Sequence, residues 1–329
     1  MRAIALIGAR AGSERVPGKN VRRLAGHPLL AYAVATALQA GVFDRVVVST
    51  DSEQIADVAR WYGADVPFPR PAEYATSTSP DIEWIRYTLE KLPERYDVFA
   101  IVRATNPFRG PDVIRRGLAQ LVATPEADSV RAVELVKQHP GKMWELSADA
   151  RTMTPLLDQS HLDVAWHAGQ YQALPRVYVQ NSALEIAWTR VVTDTRTREG
   201  RVLAPFLTQG YEGFNVDDED DWARAEALVA NGAATLPLVD RDPSSDPPRK
   251  SRGSRRSSAT RVGARGSSSR RRPTTDWSAG PRSPTRTARR AVSPESSRIS
   301  RHSSWDATHA RSSASTGIST ATRGRAPAP

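Results

Sequence analysis

The chain of 329 residues contains no cysteine. Disulfide bonds, thiolate metal sites and cysteine nucleophiles are therefore excluded. A chain without disulfides fits a reducing compartment, and we expect a cytoplasmic protein.

Long apolar runs are also lacking. Met1 and Arg2 precede only a short apolar run that Arg10 interrupts, which does not fit an export signal. No stretch of the chain approaches the roughly 20 apolar residues that a membrane-spanning helix needs. We therefore expect a soluble protein without a membrane span.

Charge is distributed unevenly along the chain. The net charge is +10, but residues 241–329 hold 20 Lys and Arg against 5 Asp and Glu, whereas residues 1–240 hold 26 against 31. The C-terminal segment is rich in Ser, Arg, Thr, Pro and Ala and almost free of Leu, Ile, Val and Phe, so it cannot bury enough apolar surface to offset the entropy of ordering. We predict one domain over residues 1–235 and a disordered basic tail over residues 241–329.

Two explanations of the tail remain open. Its positive charge would attract nucleic acid or an anionic membrane surface whatever its sequence, so a non-catalytic polyanion-binding protein is a rival hypothesis. Arg- and Ser-rich tracts such as residues 252–258 also arise when a GC-rich coding region is translated in a shifted frame, and the tail would then be accidental.

Short apolar strands alternate with helical segments in the predicted domain. We predict strands at 3–7, 45–50, 98–102 and 129–136. We predict helices at 28–40, 111–122 and 219–229. Two further helices are predicted, one capped by Asp51 or Ser52 and running to residue 62, and one that begins at Ser79 or Asp81. This alternation predicts an α/β fold, a doubly wound, mostly parallel sheet with helices on both faces. It is interrupted between about 138 and 175 and resumes at 177–179, which indicates a small inserted subdomain.

A basic, glycine-punctuated loop over residues 8–20 follows the first predicted strand. Open α/β sheets bind ligands at the carboxyl ends of their strands, so Arg10 and Lys19 would face one small space there. Gly8, Gly12 and Gly18 would let backbone N–H groups approach an anion. The loop matches neither G-x-x-x-x-G-K-[ST] nor G-x-G-x-x-G, yet its pattern predicts a nucleotide-phosphate site.

The loop carries the pattern A-R-x-x-S-x-x-x-P-x-K-N and resembles the opening motif of the acylneuraminate cytidylyltransferase family. The resemblance implies a Rossmann-like, GT-A-like nucleotidyltransferase that transfers CMP from CTP to an acidic keto sugar such as sialic acid, with release of pyrophosphate. It also implies that the insert at 138–175 is a dimerisation arm and that the protein is a homodimer. Lys19 and Arg10 are then the catalytic candidates. The nucleotide-binding candidates are Ala9, Arg10, Gly12, Ser13, Lys19, Asn20 and Arg70, the last from an R-P-x-x-x-A segment.

A divalent cation would offset the charge of the triphosphate, and Mg²⁺ is the expected cofactor. Asn215 and Asp217 alternate on what we predict to be a short strand, so both would face one site. The resembled family has D-x-D where this chain has N-x-D, which leaves one carboxylate and one neutral oxygen. We interpret the acids at 218–221 as complements of a helix dipole.

The acceptor candidates are Arg103, Thr105, Lys142 and Asn181. The segment 102–109 resembles L-Q-P-T-S-P-L-R of the family, in which the glutamine contacts the acidic sugar. Arg103 replaces that glutamine and could pair bidentately with a sugar carboxylate. Lys142 matches a family arm lysine, and Asn181 matches the asparagine of an N-G-A segment. Alternatives with the same fold change the donor or the acceptor: 3-deoxy-octulosonate is one alternative acceptor, and a sugar 1-phosphate with another nucleotide as donor is the other.

Overall fold

The structure is a computed structural model that describes residues 1–242. All but the first two residues of the predicted basic tail, 241–329, therefore lie outside the described residues. Within residues 1–242, no helix has the length and apolarity needed to cross a bilayer.

The described chain alternates strands and helices up to residue 135, as the sequence pattern predicts. The strands are β1 Ala3–Gly8, β2 Arg23–Leu24, β3 His27–Pro28, β4 Arg45–Ser49, β5 Val98–Ile101, β6 Ser129–Leu135, β7 Trp144–Leu146, β8 Met153–Pro155, β9 Tyr178–Trp188 and β10 Leu203–Leu207. The helices are α1 Leu29–Ala40, α2 Glu53–Trp61, α3 Asp81–Lys91, α4 Pro111–Ala123, α5 Arg190–Asp194 and α6 Glu219–Ala230.

The main sheet has six strands in the order β10-β6-β9-β5-β1-β4. β1 pairs in parallel with β4 and β5, and β10 pairs in parallel with β6. β9 runs antiparallel to both of its neighbours. The predicted α/β fold with a mostly parallel sheet is therefore confirmed, and the sheet is mixed.

One strand prediction for the main sheet needed correction. The short strand predicted at 177–179 is the start of β9, which continues for 11 residues to Trp188. β10 and the short helix α5 carried no prediction. β10 shows the alternating exposure of an edge strand: Ala204 and Phe206 are buried, and Leu203, Pro205 and Leu207 are exposed.

Helices cover both faces of the sheet, so alternate residues of β1 pack in different core clusters. Ala3, Ala5 and Ile7 pack in the cluster that also contains buried residues of α1, α2 and α4. Ile4 and Leu6 pack on the other face with residues of α3 and α5. A third cluster joins α6 to α1 and to the loop after β1, through Trp222, Leu29 and Val16 among others.

Local signals placed the helix ends correctly. Gly41 follows α1 in the left-handed conformation, with φ of 66°, and the side chain of Ser52 accepts a hydrogen bond from the amide of Ile55 at the start of α2. Asp218 caps α6 in the same way by accepting from the amide of Asp221. This supports the interpretation of residues 218–221 as acids at a helix start.

The segment 138–175 contains the small antiparallel hairpin of β7 and β8 and two single 3₁₀ turns, Pro140–Lys142 and Tyr171–Ala173. Several of its apolar side chains are exposed. They include Met143, Trp144, Leu146, Met153, Leu156 and Val164.

Gly117 packs α4 tightly against β9. A Cβ atom at this position would lie 2.1 Å from Cδ2 of Leu184 and 3.4 Å from Cδ1 of Ile186. Both of those side chains are fully buried, so they have little room to move. We expect Gly117→Ala to lower the free energy of unfolding by about 1–3 kcal/mol, because overpacking outweighs the better helix propensity of alanine.

Chemical denaturation of the two proteins measures this change. Gly12→Ala is the matched control, because a Cβ atom at Gly12 would meet no heavy atom within 4 Å. Its effect on the free energy of unfolding should stay within about 0.5 kcal/mol. A Gly117→Ala protein as stable as the parent would show that Leu184 repacks without cost.

Candidate functional site

A cavity of about 550 Å³ opens at the carboxyl edge of the sheet, where β1 and β5 end. Its walls are formed by the loops that follow β1 and β5 and by the segment between α2 and α3, together with Asn215 and Asp217. Five cations line it, namely Arg10, Arg15, Lys19, Arg70 and Arg103. The acids in its lining are Glu14, Asp81 and Asp217. The cavity is therefore rich in positive charge, although the domain carries a net negative charge.

The loop after β1 is anchored from below by Val16. This side chain is fully buried and belongs to the cluster that holds Val216 and Trp222. Gly18 has φ of +64°, a conformation that favours glycine, and Gly8 would bring a Cβ atom to 3.1 Å from Arg70 and Trp84. Gly12 has neither a positive φ nor a close neighbour. A structural reason for glycine is therefore present at Gly18, through its φ, and at Gly8, through the close side chains, but not at Gly12.

Lys19 connects the loop to a segment far away in the sequence. Its Nζ donates a hydrogen bond to the carbonyl of Val216 at 2.8 Å and lies 3.9 Å from Oδ1 of Asp217. Burial lowers the pKa of Lys19, and the Asp217 carboxylate acts in the opposite direction. Partial burial also weakens the screening of the ammonium charge by water, which strengthens its interaction with a polyanion.

Arg10 bridges two walls of the cavity, since its guanidinium group donates to the carbonyl of Thr76. Asn20 is buried and donates from its amide to the carbonyl of Arg10 at 3.0 Å, so it supports the loop. Ala9 is buried in the core, and its N–H donates to the carbonyl of Ser49. Ser13 lines the cavity.

Arg70 lies on the floor of the cavity and is almost completely buried. Its Nε donates to the hydroxyl of Ser49 at 3.0 Å, its Nη2 donates to the Ser49 carbonyl at 2.8 Å, and the group lies over the Trp84 ring. Burial lowers the pKa of Arg70 to about 10. The structure thus brings Arg70 to the same cavity as Arg10 and Lys19.

Asn215 and Asp217 both line the cavity, while Val216 between them is buried. The predicted short strand is not formed: residues 214–217 have no assigned regular structure, and the amide of Val216 donates to the carbonyl of Thr105 at 2.8 Å. The two side chains still share one site, because Asn215 and Asp217 line the cavity on either side of the buried Val216.

These two residues fit a magnesium ion. Oδ1 of Asn215 is buried without a hydrogen-bond partner among the described residues, and the Asp217 side chain is 54% exposed. Mg²⁺ is commonly held by one or two carboxylates with phosphate oxygens and water. Residues 1–242 contain no cluster of three or more acidic or histidine side chains that could hold a metal alone, so further ligands would come from the substrate and water.

The predicted acceptor residues divide into two groups. Arg103 and Thr105 line the cavity. Lys142 and Asn181 are not part of its lining: Lys142 donates to the carbonyls of His167 and Gly169, and the amide of Asn181 donates to Glu134 and Thr208. The structure therefore does not bring Lys142 and Asn181 together with the loop after β1.

Arg109 holds two walls of the cavity in place from the core. It is fully buried, and it donates to the carbonyls of Ala183 and Arg103 at 2.9 and 3.1 Å. Burial, followed by repulsion from Arg103, lowers the pKa of Arg109 to about 9. Sequence analysis matched this residue to a motif but gave it no role.

Several cavity residues escaped sequence analysis. Ser182 and Arg15 line the cavity, although neither was among the candidate residues. Arg22 lies outside the lining and pairs with Glu219 at 2.7 Å. The hydroxyl-bearing residues Thr76, Ser77 and Ser79 also line the cavity. Their position directly after the R-P-x-x-x-A segment was the only sequence feature that could have indicated this.

Known proteins resemble this chain over most of the described residues. The cytidylyltransferase family model matches residues 4–185. The CMP-N,N'-diacetyllegionaminic acid synthase of Legionella pneumophila is 34% identical over 233 residues, which cover 70% of this chain and 97% of that protein. The N-acylneuraminate cytidylyltransferase of Escherichia coli is 43% identical over 233 residues, 68% of this chain and 51% of that protein, so this chain spans about half of its length.

Among solved structures, the CMP:2-keto-3-deoxy-manno-octonic acid synthetase complexed with CTP has a TM-score of 0.52 and 15% identity. The match covers 70% of this chain and 100% of that structure. At this identity the comparison supports a common fold.

Proposed function

This chain belongs to the cytidylyltransferase family that includes the acylneuraminate enzymes, and from that premise we propose that it transfers CMP from CTP to a nonulosonic acid. In this reaction a sugar hydroxyl oxygen forms a bond to the α-phosphorus, the bond from that phosphorus to the bridging oxygen breaks, and pyrophosphate and the hydroxyl proton leave. Such chemistry depends largely on positioning and on charge stabilisation.

The observation that carries this proposal is the convergence of cations on one cavity. Arg10, Arg15, Lys19 and Arg70 come from two loops that are distant in sequence, yet they line the same space. Lys19 would stabilise the transferring phosphate, because its ammonium group is partly buried and thus weakly screened. Arg10 would hold the outer phosphates, and the backbone of the loop would complete the anion site.

Asp217 and Asn215 would hold the magnesium ion next to Lys19. When bound, Mg²⁺ neutralises and orients phosphate oxygens. The Lys19 ammonium group lies 3.9 Å from the Asp217 carboxylate, so both groups would act on the same bound triphosphate.

The acceptor class is supported by the two sequence relatives, whose names specify N,N'-diacetyllegionaminic acid and N-acylneuraminate. Both sugars are nine-carbon acidic keto sugars. We propose that Arg103 and Thr105 contact such an acceptor from the β5 side of the cavity, and that Lys142 and Asn181 contribute to its binding only after a rearrangement or through a second copy of the chain.

A homodimer is part of the proposal. The insert at 138–175 exposes apolar side chains, among them Leu146, Met153 and Val164, that a second copy would cover. Light scattering of the purified protein would report the oligomeric state, and a monomer at micromolar concentration would contradict this part of the proposal.

Pyrophosphate release identifies both substrates. The purified chain is incubated with each of the four ribonucleoside triphosphates, Mg²⁺ and a panel of sugars that contains neuraminic, legionaminic and pseudaminic acids, 3-deoxy-octulosonate and hexose 1-phosphates. We expect release only with CTP and a nonulosonic acid. Release restricted to a hexose 1-phosphate with UTP or GTP would contradict the proposal.

A further inference from the structure

A compact network of six charged side chains surrounds Arg103 on the side of the cavity formed by β5 and β9. We call it the Arg103 network. It consists of the three cations Arg103, Arg131 and Arg198 and the three acids Asp81, Glu185 and Glu199. The formal charges balance within it.

Arg103 is held along one edge of its guanidinium group. Nε donates to Oε1 of Glu185 at 3.2 Å, and Nη2 donates to the same oxygen at 2.8 Å and to Oδ2 of Asp81 at 2.7 Å. The two N–H groups of Nη1 have no hydrogen-bond partner within residues 1–242, and the side chain remains 29% exposed in the cavity. Nη1 is therefore the part of Arg103 that is left for a ligand.

Glu185 is the acid at the centre of the network. Its side chain is only 11% exposed. Its second oxygen, Oε2, lies 3.0 Å from Nη2 of Arg131 and 3.2 Å from Nη1 of Arg198, so three cations surround one carboxylate. A carboxylate held in this way fixes the guanidinium group that it contacts.

The charge of Arg103 is compensated where it meets the cavity. Burial, the largest single influence, lowers the pKa of Arg103, but the Glu185 and Asp81 carboxylates together outweigh it and raise that pKa above its ordinary value. Two carboxylates within 3 Å leave little net positive field for a third carboxylate. The edge that would bind a carboxylate bidentately is also occupied, which argues against the pairing expected from sequence.

We propose that Glu185 is a positioning residue for the acceptor: it holds Arg103 so that Nη1 donates to an uncharged oxygen of the sugar, a hydroxyl or an acyl carbonyl. This inference rests on the proposed function, which puts the acceptor next to Arg103. Arg103 then selects the substituents of the acceptor, whereas its carboxylate is bound by other groups.

Initial rates with the best acceptor of the panel varied at saturating CTP and Mg²⁺, and with CTP varied at saturating acceptor, test this role. We expect Glu185→Gln to raise the KM for the acceptor about tenfold with a smaller change in kcat and no change in the KM for CTP, because Arg103 loses its orientation. If Arg103 instead binds the sugar carboxylate, freeing its occupied edge in Glu185→Gln should lower the acceptor KM. A lowered or unchanged KM would overturn the inference.

A second pair of variants separates positioning from general damage. Arg103→Gln keeps an uncharged N–H donor but leaves the buried acids without their cation, and we expect a larger increase in acceptor KM. The double variant Arg103→Gln with Glu185→Gln restores the charge balance and should recover part of the loss. Effects that simply add in the double variant would overturn the inference.

Glu199→Gln is the matched control. Glu199 belongs to the same network and contacts Arg131 and Arg198, but it has no ion pair with Arg103. Glu199→Gln should leave the acceptor KM within about twofold of the parental value, since it removes the same charge as Glu185→Gln but at a more exposed position. An equally large increase in acceptor KM would mean that the network acts only as a structural unit and would overturn the specific role of Glu185.

Failure of this inference differs from failure of the proposed function. If the parent protein releases pyrophosphate with no nonulosonic acid, the proposed function fails and this inference falls with it. If the parent is active and the KM pattern is absent while each variant binds CTP with parental affinity in calorimetry, only the role of Glu185 is wrong.

Discussion

Replacing Lys19 with alanine should lower kcat by about 100- to 1000-fold, the usual cost of removing one preorganised group that stabilises developing charge. The Lys19 side chain is 13% exposed, and its ammonium group is fixed by the carbonyl of Val216, so it needs no reorganisation to meet a phosphate. Stopped-flow or coupled measurement of pyrophosphate release at saturating substrates provides kcat.

Arg15→Ala is the matched control for Lys19→Ala. Arg15 lines the same cavity and carries the same charge, but it is exposed to solvent, so its field is screened. We expect a loss of less than about tenfold in kcat for Arg15→Ala. Comparable rates for the two variants would contradict the assignment of Lys19 to the transferring phosphate.

The second large effect is expected at Asp217, the one carboxylate of the proposed metal site. Asp217→Asn should lower kcat roughly 100-fold or more at fixed Mg²⁺, since a metal ion supplies several kcal/mol of charge stabilisation. It should also weaken binding of Mn²⁺ to the CTP complex, which electron paramagnetic resonance measures without turnover.

Asp220→Asn is the control for the metal prediction. Asp220 belongs to the first turn of α6 and is not part of the cavity lining, so the same change of charge should leave Mn²⁺ binding unaltered. Asn215→Asp, which gives the site a second carboxylate, should tighten Mn²⁺ binding by about tenfold. Unaltered Mn²⁺ affinity in both Asp217→Asn and Asn215→Asp would remove these residues from the metal site.

The parts of the fold that sequence analysis predicted are those with local causes. Gly41 and Ser52 mark helix ends through their own backbone and side-chain chemistry, and β1 is a continuous apolar run because both of its faces are buried. The direction of β9 has no such local cause, since it depends on which strands it meets. Its antiparallel course between β5 and β6 therefore appears only in the structure.

The same division holds for the site. The loop motif predicted Arg10 and Lys19 as candidates because its specified residues all lie within a run of 12 positions. Glu185 contacts Arg103 from 82 positions away, and the carbonyl that fixes Lys19 is 197 positions away. A single sequence contains no signal for such pairs, so Arg103 looked available for a carboxylate although it is already paired.

The contact between Lys19 and Val216 also concerns how the protein is made. Val16 below the loop packs in one cluster with Val216 and Trp222, so the first loop of the chain is completed by its last described helix. A nascent chain on the ribosome carries residues 8–20 long before α6 emerges, so this wall of the cavity reaches its final packing only after synthesis has passed that helix. Fragments and fusion proteins that end at residue 185, where the family match ends, would contain the loop but lack the segment that completes this wall.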